Sequence, residues 1–139
     1  GSAWPDQVPA DVAQAQEDRE NAPIVMPWPP TVNHYWRFTS KGVLISDQGR
    51  QYREVVAVLA LENLWPRFPT ERVKVTIEAW MPDRRRRDLD NILKSLLDSL
   101  THAGVWTDDS QVDDLRIYRA PRIGGMCKVE IAAVEVGNV

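Results

Sequence analysis

Cysteine is nearly absent from this chain: Cys127 stands alone, which excludes a disulfide within the chain and a cysteine-rich zinc site. Within a strand-like segment it reads as a small core residue. Histidine is equally scarce, and His34 and His102 have no partner at metal-ligand spacing. No apolar run approaches the roughly 20 residues a membrane span needs, and no segment near the N-terminus has the apolar core of a signal peptide. The expectation is a protein with no membrane partner, working in a reducing cytoplasm. Also missing are a glycine-rich phosphate loop, a Gly-x-Ser-x-Gly elbow and any His-Asn-His cluster. Pro82-Asp83 has no Asp-x-Lys or Glu-x-Lys at a suitable place to complete an endonuclease motif of that type.

What is present fits one soluble α+β domain. The chain has 139 residues, 43% of them hydrophobic and 27% charged, enough for one core and too few for two. Its net charge of −3 argues against a nucleic-acid partner only until its distribution is considered. Residues 1–22 carry Asp6, Asp11, Glu17, Asp18 and Glu20 against Arg19 alone, and the rest of the chain is net +1. Gly1-Ser2 reads as a cloning scar and the rest of 1–22 as a flexible acidic leader or marginal helix. The domain then occupies 23–139.

Ile24-Val25-Met26 reads as a short strand stopped by Pro27-Trp28-Pro29-Pro30, so it belongs at a sheet edge. Thr31 to Ile45, with a Ser40-Lys41-Gly42 turn, suits an extended arm or loose hairpin. Ser46 caps a predicted helix over 47–64. Its apolar positions, Tyr52, Val55, Val56, Leu59, Val58, Leu61 and Leu64, run so far round that the helix is expected to be well buried. Residues 72–80 alternate as a half-buried strand. Leu89, Ile92, Leu93, Leu96, Leu97 and Leu100 then trace one face of a second helix, stopped by Gly104. Strands near 112–119 and 126–136 complete a β-α-β-α-β-β order. That order predicts two helices packed on a four-stranded mixed sheet.

The chemistry concentrates between Pro82 and Asn91. Arg84, Arg85, Arg86 and Arg87 run directly into Asp88-Leu89-Asp90, where arginines attract phosphates and carboxylates collect hard cations. Asp90 and Lys94 are one helical turn apart, and Asp88 falls at the helix N-terminus. Two readings stay open from spacing alone. One is a capping Asp88 with a surface Asp90–Lys94 pair, and the other is a metal site facing a phosphate backbone. Asp108-Asp109 and Asp113-Asp114 follow the helix, and a strand running back beside it would carry one of these acids towards Asp88 and Asp90. Three carboxylates with few imidazoles or thiols nearby suit Mg²⁺.

These pieces resemble the RusA family of Holliday junction resolvases. The similarity rests on Pro27-Trp28-Pro29-Pro30 with Asn33 and Tyr35, on Gly49, Tyr52 and Arg53, and most densely on Met81 to Asn91 with Lys94. Ala103-Gly104, Trp106, Asp108-Asp109, Gln111-Val112 and Asp113 extend it. The resemblance implies an Mg²⁺-dependent enzyme, with Mn²⁺ as substitute, that cuts four-way junction DNA by paired nicks during recombination and repair. It also implies a homodimer, a phage or prophage origin and the cytoplasm of a bacterial host. The family's essential aspartates fall on Asp88, Asp90 and Asp109, as metal ligands and catalytic residues, and its essential lysine on Lys94. Arg84, Arg85, Arg86 and Arg87 would hold the DNA. A branched-DNA or flap nuclease and a junction-binding module without chemistry are the rival functions. The Pro27–Phe38 arm and the open face of strand 72–80 are the candidate dimer contacts.

Overall fold

Strand β4, Val73–Trp80, forms because β-preferring residues alternate with polar ones, so that one side of the pleat can be buried along its whole length. The computed structural model describes residues 23–134, and within it Val73, Val75, Ile77 and Ala79 are fully buried. β4 is a central strand of a four-stranded sheet ordered β1-β6-β4-β5. Here β1 is Ile24–Pro27, β5 is Val112–Arg119 and β6 is Met126–Ala133. β4 pairs parallel with β5 and antiparallel with β6, and β6 pairs antiparallel with β1. The sheet is therefore mixed, as expected, and proline-limited β1 lies at its edge. Cys127 on β6 is buried, and that burial pushes its thiol up to about 12. The leader 1–22 lies outside the described residues.

The Thr31–Ile45 segment folds as a helical turn, α1 (Val32–Tyr35), and a two-stranded hairpin of β2 (Trp36–Thr39) and β3 (Gly42–Ile45). Ser46 then caps α2, Asp47–Glu62, by accepting the Gly49 amide at 2.9 Å. A Cβ at Gly49 would sit 2.4 Å from the Tyr35 carbonyl oxygen, so only glycine lets α2 approach α1 this closely. α2 does not meet the expectation of a well-buried helix. Only Gly49, Tyr52, Val56 and Ala60 are buried, whereas Val55, Val58 and Leu61 face solvent, Leu61 at 66% exposure. The buried stripe is narrow: the Tyr52 hydroxyl reaches Pro27 O of β1 at 2.7 Å, Val56 and Ala60 join the core shared with α3, and the rest of the helix is left to water.

That second helix, α3 (Asp90–His102), is the parallel crossover from β4 to β5. Ile92, Leu96 and Leu100 are buried in the core. Ser95 and Ser99 are buried beside them, each hydroxyl donating to a carbonyl, with Ser95 reaching Pro30 O at 2.6 Å. Gly104, at φ +84°, ends the element as predicted. No helix among the described residues is long and apolar enough to cross a membrane.

The two helices should respond differently to mutation. Leu96→Ala should cost about 2–5 kcal/mol of stability through the cavity it leaves. Leu61→Gln should stay within about 0.5 kcal/mol. Urea unfolding of the two variants beside the parent checks both numbers.

Candidate active site

The loop from β4 to α3 is anchored at its root, where Gly124 and Gly125 donate their amides to the Met81 carbonyl at 2.9 and 3.1 Å. Asp83 then folds the loop back on itself. Its carboxylate accepts the Arg85 amide at 2.9 Å and the Arg87 guanidinium at 2.8 Å. The Arg87 bond, with the Arg85 amide second, holds Asp83 below the usual carboxylate range. The Arg87 carbonyl in turn accepts a hydrogen bond from the Arg119 guanidinium. The four arginines therefore divide. Arg87 is half-buried and braces the loop, while Arg84, Arg85 and Arg86 project into solvent. Arg85 keeps only a long 3.9 Å approach to Asp83, with its side chain 83% exposed.

Leu89 already has helical backbone angles and the Asp88 carbonyl accepts the Asn91 amide at 3.3 Å, so Asp88 stands at the mouth of α3, yet its carboxylate makes no capping hydrogen bond among the described residues. Neither Asp88, Asp90 nor Lys94 takes part in a salt bridge among the described residues. The bland reading of a surface Asp90–Lys94 pair is thus not what the structure contains. Asp88 lines a cleft of about 190 Å³ with Trp28, Thr31, Arg86, Arg87, Asn91 and Ile92.

The acidic run after α3 divides just as sharply. Asp108 caps the 3₁₀ turn Asp109–Gln111, accepting the Ser110 amide at 2.8 Å, and this bond keeps it below the usual carboxylate range. Buried Gln111 holds the turn from both ends: its Oε1 accepts the Thr107 and Asp108 amides, and its Nε2 donates to the Phe68 and Glu71 carbonyls. Asp113 pairs with Arg72 at 2.5 Å, and Asp114 lies 3.9 Å from Lys74. Asp109 alone in this run neither caps an element nor forms a salt bridge among the described residues. Partial desolvation raises its pKa, with Asp108 and Asp98 adding to the rise and Lys94 opposing it.

Asp88 and Asp90 sit at the N-terminal end of α3, whereas Asp109 follows its C-terminal end. A 13-residue helix spans about 20 Å, and no three acidic, histidine or cysteine side chains gather as a metal site among the described residues. Asp88 and Asp90 thus lie two residues apart at the mouth of α3, and no cluster among the described residues joins Asp109 to them. The donors themselves suit a hard divalent cation, being exposed carboxylates that form no salt bridge among the described residues. Sequence reasoning missed Asp98, two turns beyond Asp90 on the same face. Its carboxylate is held by Arg53 of α2 at 2.7 Å and by the Tyr35 hydroxyl of α1. Only the i+4 spacing from Lys94 hinted at it, since nothing local identifies a partner 45 residues away.

Residues 27–133 match the family model described as Endodeoxyribonuclease RusA. The crossover junction endodeoxyribonuclease rusA of Enterobacteria phage HK97 is 44% identical over 113 residues, covering 81% of this chain and 94% of the relative. That of Enterobacteria phage 82 is 43% identical over 115 residues, covering 83% and 95%. The crossover junction endodeoxyribonuclease RusA of Escherichia coli K12 is 42% identical with the same coverage. The segment carrying Asp88, Asp90, Lys94 and Asp109 lies inside the matched range, and the chain belongs to the RusA endodeoxyribonuclease family.

Proposed function

We propose that this chain is an endodeoxyribonuclease that resolves four-way DNA junctions by paired nicks, working as a homodimer with Mg²⁺, for which Mn²⁺ can substitute, in a bacterial cytoplasm. One observation carries the reading. Within the family-matched segment, Asp88, Asp90, Lys94 and Asp109 make no salt bridge among the described residues, while Asp83, Asp98, Asp108 and Asp113 spend their charges on caps and ion pairs. Asp88 and Asp90 would hold the cation, and Asp109 would complete its ligand set. When bound, the cation supplies a nucleophile at neutral pH and offsets the charge that builds on the phosphate. The flexible Lys94 amine, one turn after Asp90, would steady the scissile phosphate. Arg84, Arg85 and Arg86 would hold the backbone on either side, and Arg87 would keep their loop in shape through Asp83.

The distance along α3 bears on assembly. A lone domain offers Asp88 and Asp90 at one end of the helix and Asp109 at the other. In a C₂ dimer a surface meets its own copy, and two α3 helices lying antiparallel would set Asp109 of the partner subunit beside the first chain's Asp88 and Asp90. Two such composite sites, related by the two-fold axis, would match two symmetric cuts in one junction.

Asp88→Asn should leave folding and junction binding intact and abolish cleavage in Mg²⁺, as EDTA should for the parent. A wild-type rate from that variant defeats the site assignment, and equal cutting of flap and four-way substrates defeats the substrate. Binding should weaken steeply with salt. Replacing Arg84 and Arg85 by Ala should flatten the log–log slope by roughly 0.9 per arginine, equally for all junction sequences. Asp88→Asn and Asp109→Asn, each inactive alone, should regain single-strand nicking when mixed as heterodimers. If each site is built from one chain, the mixture stays dead.

A further inference from the structure

The Pro27-Trp28-Pro29-Pro30 segment belongs to the family resemblance, yet the reaction as described gives it nothing to do. It forms one wall of a groove of about 470 Å³ whose other wall is the first two turns of α2. That volume falls within the roughly 300–1,000 Å³ of small-molecule sites. The groove adjoins the Asp88 cleft, and Trp28, Thr31 and Arg87 line both.

The wall is rigid. Prolines limit its backbone freedom, the Trp28 amide donates to Gly125 O at 3.2 Å, and the Tyr52 hydroxyl donates to Pro27 O at 2.7 Å. From the other side Ser95 holds the Pro30 carbonyl at 2.6 Å. Trp28 is half-buried and so presents part of its indole at a fixed position. Facing it, Gln48, Gln51 and Val55 make a stripe at helical spacing, and the two amides are exposed. Neither glutamine side chain takes part in any hydrogen bond among the described residues.

A flat aromatic with free amides opposite is the chemistry that takes a nucleobase, which stacks on the ring and exchanges hydrogen bonds along its edge. At a four-way junction the bases stay paired, but each stack changes partner or ends where strands cross, so turning a base out there costs less than inside an unbroken duplex. We propose that this groove receives a base turned out of the cleaved strand beside the scissile phosphate, with Trp28 as its stacking platform and Gln48 and Gln51 reading its edge. The assignment rests on the junction-cleaving reading above. Arg87, shared between groove and cleft, lies between the seated base and Asp88, so occupying the groove would register the phosphate against the carboxylates. The groove would then determine where along the junction the enzyme cuts.

The test uses junctions with an abasic nucleotide at each position flanking the cut, cleaved by the full chain in Mg²⁺. On intact junctions Trp28→Ala should slow cleavage about 5- to 150-fold, the worth of one base stacked on an aromatic, and Trp28→Phe should recover most of that loss. Removing the base at one position should slow the parent similarly, and there Trp28→Ala should add nothing further. Gln48→Ala and Gln51→Ala should redistribute cuts among junctions that differ only in the base at that position. The proposal is overturned if Trp28→Ala costs as much on every abasic junction as on intact ones, or if both glutamine variants keep the parent's cut distribution. It is equally overturned if Trp28→Ala halves the mass measured by light scattering, since a second copy of the chain would then be the occupant. Failure of the parent itself to cut an intact junction would instead refute the junction-cleaving reading, so the two failures are told apart.

Discussion

Burial of Ile92, Leu96 and Leu100 under the sheet decides which side of α3 meets water, and nearly everything functional follows from that orientation. Asp90, Lys94 and Asp98 stand two positions from these residues, about 200° round the helix at 3.6 residues per turn. They must therefore point away from the sheet. The same packing places the Asp88 end of α3 at the C-terminal edge of β4 and the Asp109 turn at the start of β5. Parallel pairing of β4 and β5 requires such a crossover, and its length sets the gap between the two groups of acids.

The remaining electrostatics work by elimination. The segment 83–114 is rich in carboxylates, and half are spent on structure: Asp83 closes the arginine loop, Asp98 ties α3 to α2, Asp108 caps a 3₁₀ turn and Asp113 pairs with Arg72. These bonds hold in place the backbone from which Asp88, Asp90 and Asp109 project. The arginines divide in the same manner, Arg87 inward and the other three outward. The proposed site for a cation and a phosphate backbone thus rests on neighbouring charges that cancel locally. This is why a net charge of −3 says little about a nucleic-acid partner.

The legible parts of the fold were those specified by neighbours in the chain. Alternation over 73–80, the apolar stripe of α3, the Ser46 cap and the Gly104 stop all act within a turn or a strand, and each is found where the pattern puts it. In α2 the apolar residues outnumber the positions of the one stripe, Tyr52, Val56 and Ala60, that reaches the core. A helix pattern reports what could be buried, while the layer above decides what is. Asp88 and Asp109 were identifiable as chemically important residue types, but their freedom from caps and ion pairs was not. Competition among eight acids for nearby amides and guanidinium groups is settled only by three-dimensional distance.

By itself, then, the sequence determined the mixed α+β order, the central strand, the register of α3 and the concentration of arginines and carboxylates at its mouth, because each depends on residue spacing along one element. Tertiary structure alone decided that Asp108 caps while Asp109 stays free, that Arg53 and Tyr35 hold Asp98, and that a proline-walled groove opens beside Asp88. Those outcomes depend on groups tens of residues apart meeting at hydrogen-bond distance, and no local spacing encodes such a meeting.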